Sequence, residues 1–321
     1  MAEPGVGPGR DEPGTNEPGR AMHTPHGHEP TQDGRQDTTR REFLHDVGSM
    51  VGASVIAAPF AACFPAPAAI GSADRLSRIG VQLYTVRQAM QQSVEGTLEQ
   101  VAGIGYKEVE FAGFFGRSAL QIRALLDANG LTAPSSHSAD LNSIRTRLPA
   151  ILEDAATVGH RYVICASLPR SEQTTDGFKR VAAEFNKAGE EAAKAGITFG
   201  YHNHDFEFRS VDGTIGYDIL LTECDPRLVT MQMDLFWTAK GGRDPLAYFA
   251  KYPGRFTSVH VKDMDGSGAM VDVGAGQMPF AKYFAQSAQA GIKHYFVEHD
   301  NPGDAMNSIG ASYRYLAALE F

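Results

Sequence analysis

The sequence predicts a parallel (β/α)8 barrel, and two observations carry that prediction. From Ile79 onward, eight short apolar runs alternate with amphipathic stretches of helical period. This is the pattern of parallel strands covered on the outside by helices. Four of the later runs also end abruptly in ionisable groups: at His202-Asn203-His204, at Asp234, at His260-Val261-Lys262-Asp263 and at Glu298-His299-Asp300. A buried strand that delivers such groups at its C-terminal tip is how a barrel of this kind presents its chemistry. Strands with these tips would place the side chains in a ring. Mixed N and O ligands of the His/Asp/His/Glu type suit Mn, Co, Zn or Fe better than Mg or Ca.

Taken in order, strand one is expected over 79–84 with its helix over 94–102, and strand two over 106–111. Its helix runs over 118–129, capped by Ser118 and stopped at Gly130. Strand three is expected over 131–137. The helix after it, over 139–158, carries Leu141, Ile144, Leu148, Ile151, Leu152 and Ala155 on one face. Strand four spans 162–166, followed by a long helix over 175–195. Strands five to eight end at His202 to His204, Asp234, His260 and near Glu298, and a helix over 305–319 closes the ring. Five of the seven histidines beyond the leader (His137, His202, His204, His260 and His299) fall at predicted C-terminal strand ends. His160 and His294 sit at strand starts, on the face that serves stability.

The chain ahead of the barrel reads differently. Residues 1–38 are built from Gly, Pro, Glu, Asp, His and Arg, with almost no large apolar side chain. Such a leader cannot bury enough surface to offset its ordering entropy and is expected to be disordered. His23, His26 and His28 within it read as a polar tract. Residues 39–73 then show charge, a modest apolar stretch and small residues, the order of an export signal. Arg40-Arg41 followed by Phe43-Leu44 resembles the twin-arginine motif. Cleavage after Ala68, Ala69 or Ala73 satisfies a small-residue rule, and the alternative is a lipid anchor at Cys63. The expected location is periplasmic or exported, with the mature barrel over 74–321.

Removing the leader leaves about 250 residues, the usual size of one such barrel. The whole chain carries −9; residues 1–71 contribute nine acids and five bases, so about −5 remains. No basic stripe accompanies this charge, which disfavours nucleic acid as a partner. Cys165 and Cys224 lie in different predicted elements without a Cys-x-x-Cys partner, so buried thiols are expected.

From Arg78 to the C-terminus the chain resembles the sugar phosphate isomerase/epimerase superfamily, with its xylose isomerase-like TIM barrel. The residues that carry the resemblance are Gly80-Val-Gln-Leu-Tyr-Thr-Val-Arg87, Gly105-Tyr-Lys-Glu-Val-Glu110, Tyr201-His-Asn-His-Asp-Phe-Glu207-Phe208, Met233-Asp234, His260-Val-Lys-Asp263 and Val297-Glu298-His-Asp300. The resemblance implies one divalent ion held by ligands from strands five to eight. Asp234, His260 and Glu298 match three ligand positions. The fourth is usually Glu, and here His202 stands in that register. In related epimerases that Glu also moves a proton. Glu207, five residues on, is expected to be a solvated loop carboxylate. Trp237 stands where many epimerases have His and is expected to offer a flat wall to a sugar face, with His204 as a second substrate contact.

In such a site the ion acts as a Lewis acid on a carbonyl. Glu298 would take the proton next to that carbonyl, and Lys262 would balance oxyanion charge. Glu110 and His137, at the tips of strands two and three, are expected to face the same mouth and serve as hydroxyl partners or a second acid. The expected activity is a metal-dependent sugar isomerase or epimerase. A keto-sugar or cyclitol lyase or dehydratase, and a non-catalytic periplasmic sugar binder, are the alternatives. Expected partners are a small sugar or cyclitol, the twin-arginine translocase during export and a second copy in a homo-oligomer.

Overall fold

The computed structural model describes residues 74–321; the expected disordered leader, the expected export signal and Cys63 fall outside the described residues. Eight parallel strands close on themselves in chain order. They are β1 (Gly80–Gln82), β2 (Glu108–Phe111), β3 (Thr132–Ala139), β4 (Tyr162–Cys165), β5 (Thr198–His202), β6 (Val229–Asp234), β7 (Phe256–Val261) and β8 (His294–Val297). The predicted barrel is therefore the observed one. Around it lie α1 (Arg87–Gln92), α2 (Val94–Ile104), α3 (Ala119–Asn129), α4 (Leu141–Val158), α5 (Thr175–Lys194) and α6 (Gly216–Glu223). The ring continues with α7 (Leu235–Lys240), α8 (Pro245–Lys251), α9 (Phe280–Phe284), α10 (Ser287–Ala290) and α11 (Ala305–Ala318). Among the described residues no helix is long and apolar enough to cross a membrane.

Local chemistry accounts for the element ends. Ser118 and Gln121 form a capping box at the start of α3, and Gly130 ends it in the left-handed region at φ 62°. α4 starts at Leu141, after the capping box of Asp140 and Ser143, because β3 runs on to Ala139. β5 shows how the alternation divides outside from inside. Phe199 and Tyr201 point outward, with ring centroids 5.2 and 5.4 Å from Phe185 of α5. Each such buried aromatic contributes roughly 1.5–3 kcal/mol relative to exposure. Gly200 and His202 point the other way. Gly80 is needed in β1 because a Cβ there would lie 2.5 Å from Phe296 of β8.

The barrel interior departs from the usual branched apolar filling. Register aligns Gln82 with Glu110 and Glu110 with Ser135, and on the far side Gln232 with Ser258. All five are buried, at no more than 1 % exposure. Buried polar groups persist only when paired, and here they pair with one another. Gln82 Nε2 and Gln232 Nε2 donate to Glu110 at 2.8 and 2.7 Å, and Gln232 Nε2 also reaches Ser258 Oγ at 3.1 Å. This polar layer is the floor on which the site stands.

A second buried carboxylate organises the rim. Asp263 accepts from the backbone N–H groups of Met264, Gly274, Gly276 and Met278 at 2.8–3.0 Å. It thereby ties the loop after β7 to the barrel, and Gly276 permits the close approach. Cys165 and Cys224 are buried free thiols, and burial pushes both up to about 12.

Candidate active site

The C-terminal ends of β5 to β8 bring His202, Asp234, His260 and Glu298 together, with one ligand atom from each within 4.8 Å of the others. Register explains the meeting: Asp234 pairs with His260, and His260 with Phe296, so alternate residues of neighbouring strands point inward side by side. Above them opens a cavity of about 470 Å³, lined in part by His137, His202, His204, Lys262, Glu298 and Asp300.

Each imidazole has one nitrogen committed elsewhere. His202 Nδ1 faces the carbonyl of Ala166 at 3.3 Å, which leaves Nε2 toward Asp234 Oδ2, also 3.3 Å away. His260 Nε2 donates to Glu110 Oε2 at 2.6 Å, so Nδ1 points into the cluster, 2.7 Å from Glu298 Oε2. A carboxylate behind a ligating imidazole fixes its ring and tautomer. Asp234 Oδ1 caps α7 by accepting from Trp237 N–H at 2.8 Å, leaving Oδ2 for the cluster.

Comparison with known proteins fits this geometry. Residues 98–319 match the family described as the xylose isomerase-like TIM barrel. The chain belongs to that family. It is 29% identical to the solved structure of a sugar phosphate isomerase/epimerase from Parabacteroides distasonis, with a TM-score of 0.66 over 79% of this chain and 99% of that one. It is 25% identical over 193 residues to the inosose dehydratase of Lacticaseibacillus casei, covering 53% of this chain and 63% of that protein. The match thus spans less than two thirds of that relative. A 3-keto-D-glucoside 4-epimerase from E. coli shares the fold, at 18% identity and a TM-score of 0.58.

As a member of this barrel family, the chain has a donor set that fits a divalent cation. Among the described residues, the carboxylates of Glu110, Asp234, Glu298 and Asp300 meet one ammonium, that of Lys262, and the rings of His137, His202 and His260. Two imidazoles and two carboxylates around an excess of buried negative charge call for a cation. Burial, and then the neighbouring histidines, hold His202 well below the ordinary histidine range, so its ring is neutral. Burial works against charge on His260, but Glu298 and Glu110 on either side raise it to about 10. An ion bound at Nδ1 would take the place of any proton that nitrogen carries. Burial also opposes charge on Glu298, yet Lys262 and His260 hold its carboxyl well below the usual carboxylate range.

Several placements differ from the sequence expectation. Glu110 does not face the mouth. It is fully buried in the polar layer and accepts from Gln82, Ser135, Gln232 and His260. It pairs in register with Gln82 and Ser135, and its carboxylate lies behind the His260 ring. His137 does line the cavity, with Nε2 2.5 Å from Gln232 Oε1. Trp237 is set back rather than lining the cavity. Its ring lies 5.9 Å from that of His204 and 5.6 Å from Lys262 Nζ. Glu207 is not solvated. A turn over Phe206–Phe208 folds it inward, where Tyr201 Oη donates to Oε1 at 2.5 Å and His204 N–H to Oε2 at 2.9 Å. Sequence reasoning assigned no role to Asp300, which lines the cavity and accepts from Lys262 Nζ at 2.8 Å. The only signal was its spacing of two from Glu298.

Burial pushes Glu207 up to about 8, from an ordinary 4.5. A carboxyl raised in the fold favours the folded state fully below its unfolded value, and this contribution is lost as pH rises through the folded value. Glu207→Gln keeps a neutral group able to bond both partners. The variant should exceed the wild type in urea stability by roughly 5 kcal/mol above pH 8, a gap that closes as pH falls to about 4. Parallel stability curves across this range would count against a neutral Glu207.

Proposed function

We propose that this chain is a divalent-metal-dependent sugar or cyclitol isomerase or epimerase that removes a proton next to a carbonyl. The observation that carries the reading is Glu298. It is the one residue that both joins the four-ligand group and lines the cavity with a carboxylate. When bound, the ion would supply Lewis acidity to the substrate carbonyl, with Mn, Co, Zn or Fe favoured over Mg by the donor set. His202, Asp234, His260 and Glu298 would hold it. Glu298 takes the proton, and Lys262 steadies the charge that develops on the substrate oxygen. His137 and His204, on the cavity wall, orient hydroxyls.

A second reading is elimination of water from a keto-sugar or keto-cyclitol. It is favoured by His202 standing where a second carboxylate base would be, since a one-base site suits isomerisation and β-elimination better than two-base epimerisation. The likeness to an inosose dehydratase points the same way. Screening keto-sugars and keto-cyclitols in D2O with Mn²⁺ or Co²⁺ tests both readings. Deuterium should enter next to the carbonyl, and loss of water from the product would select elimination. Exchange that persists after chelation would count against the metal. Export through the twin-arginine route and action on a periplasmic substrate remain part of the proposal, carried by Arg40-Arg41.

His202, rather than Glu207, should complete the metal shell, because Glu207 is already engaged by Tyr201 and His204. His202→Ala should cost more bound metal than the roughly 10–100-fold lost with an outer partner, whereas Glu207→Ala should stay within a few fold. Elemental analysis showing the reverse order would overturn the assignment.

A further inference from the structure

Lys262 is 2 % exposed and its ammonium meets three carboxylates: Asp234 Oδ2 at 3.1 Å, Glu298 Oε2 at 2.8 Å and Asp300 Oδ1 at 2.8 Å. The first two oxygens are the ones the ligand group turns toward its centre. Asp234 has no other to offer, since Oδ1 is taken by the cap of α7. His202 Nε2 and His260 Nδ1 both face Asp234 Oδ2, and His260 Nδ1 also meets Glu298 Oε2. Ammonium and divalent ion therefore share two oxygens, and like charges so close in a buried site repel strongly. Asp300 stands apart. It is outside the ligand group, its side chain is 28% exposed on the cavity wall, and among the described residues only Lys262 donates to its carboxylate.

We infer that Lys262 is a built-in counter-cation of the ligand cluster. It holds Asp234 and Glu298 in place before a divalent ion binds and withdraws onto Asp300 when one enters. Asp300 is then a positioning residue: it sets metal affinity through Lys262 without touching the ion. The inference rests on the reading of the cluster as a metal site. Lysine supplies three donors on a flexible stem, so the ammonium can exchange partners without moving its backbone. The Trp237 ring, 5.6 Å away, offers a face that a cation favours on either side of that exchange.

A lysine that merely props the ligands would act in the opposite sense, since its loss would loosen them and weaken the metal. Calorimetric titration of the chelator-stripped full chain with Mn²⁺, alongside the melting temperature of the stripped protein, separates the two. Lys262→Met should tighten Mn²⁺ by about tenfold or more while lowering the melting temperature of the stripped form, where three carboxylates then face one another. Asp300→Asn should weaken Mn²⁺ several-fold, because Lys262 loses its place of withdrawal. Equal or weaker binding by Lys262→Met, or equal or tighter binding by Asp300→Asn, overturns the inference. If Lys262→Met does not fold, the partly exposed Asp300→Asn decides alone. Wild-type protein that takes up neither Mn²⁺ nor Co²⁺ removes the metal reading itself, a result distinct from an unchanged variant.

Discussion

Glu298→Gln should lower α-proton exchange by roughly 10²–10⁴-fold at saturating metal, the usual worth of a positioned acid or base. The expectation follows from where the carboxylate sits. β8 ends at Val297, and Glu298 follows it, held by its own N–H to Val261 O at 3.2 Å. The residue is 6 % exposed and lines the cavity rather than standing in open solvent. Lys262 and His260 keep it ionised against burial, so it is in its basic form at neutral pH, although the same contacts restrain its basicity. Withdrawal of Lys262 onto Asp300 would relieve part of that restraint. Glutamine preserves shape and one oxygen donor but loses charge and basicity, so metal should bind more weakly yet remain detectable in excess. A pure ligand would regain activity once metal is replenished. A structural carboxylate would show lowered thermal stability and no metal dependence. Titrating metal against exchange in this one variant separates the three, and full rescue would move the base to another group of the cavity.

The barrel was legible because its signal is repeated. Eight apolar runs, each followed by a helical stretch, leave little choice of fold, and the short helices α1 and α7 to α10 escaped only because none exceeds seven residues. Strand parity also let Asp234, His260 and Glu298 be read as neighbours, since inward residues recur every second position. Depth was not legible. Glu110 and Glu298 look alike as carboxylates closing an apolar run, but stagger between strands sinks the first beneath His260 and leaves the second in the cavity. The polar layer was invisible for a related reason: Gln82, Ser135, Gln232 and Ser258 are neutral residues within strands, and only closure of the barrel brings them together. Glu207 was misread because a single turn reverses its direction. Side chains decided by tertiary contact, including the Lys262–Asp300 pair 38 residues apart, have no periodic signature.

That difference in depth makes Glu110 the most informative residue of the lower layer. A carboxylate at the mouth acting as second acid would, when replaced by Gln, lower turnover and leave metal affinity alone. A buried carboxylate behind His260 does the reverse. Burial opposes its charge, but His137 and His260 hold the carboxyl far below the usual range, and it accepts from four side chains at once. Glu110→Ala should therefore cost about 3–5 kcal/mol of folding stability, because His260 and the two glutamines lose a shared acceptor in a region that water cannot reach. Glu110→Gln is the gentler version. It keeps the volume and one acceptor but places an N–H₂ where donors already point. It should weaken divalent-ion binding by roughly 10–100-fold through the freed His260 ring, while turnover at saturating metal stays within a few fold of the wild type. Measuring metal affinity and saturated turnover on the same preparation decides the matter. A loss confined to turnover would return Glu110 to the mouth of the barrel as an acid, and a loss confined to affinity fixes it as the support of the ligand above.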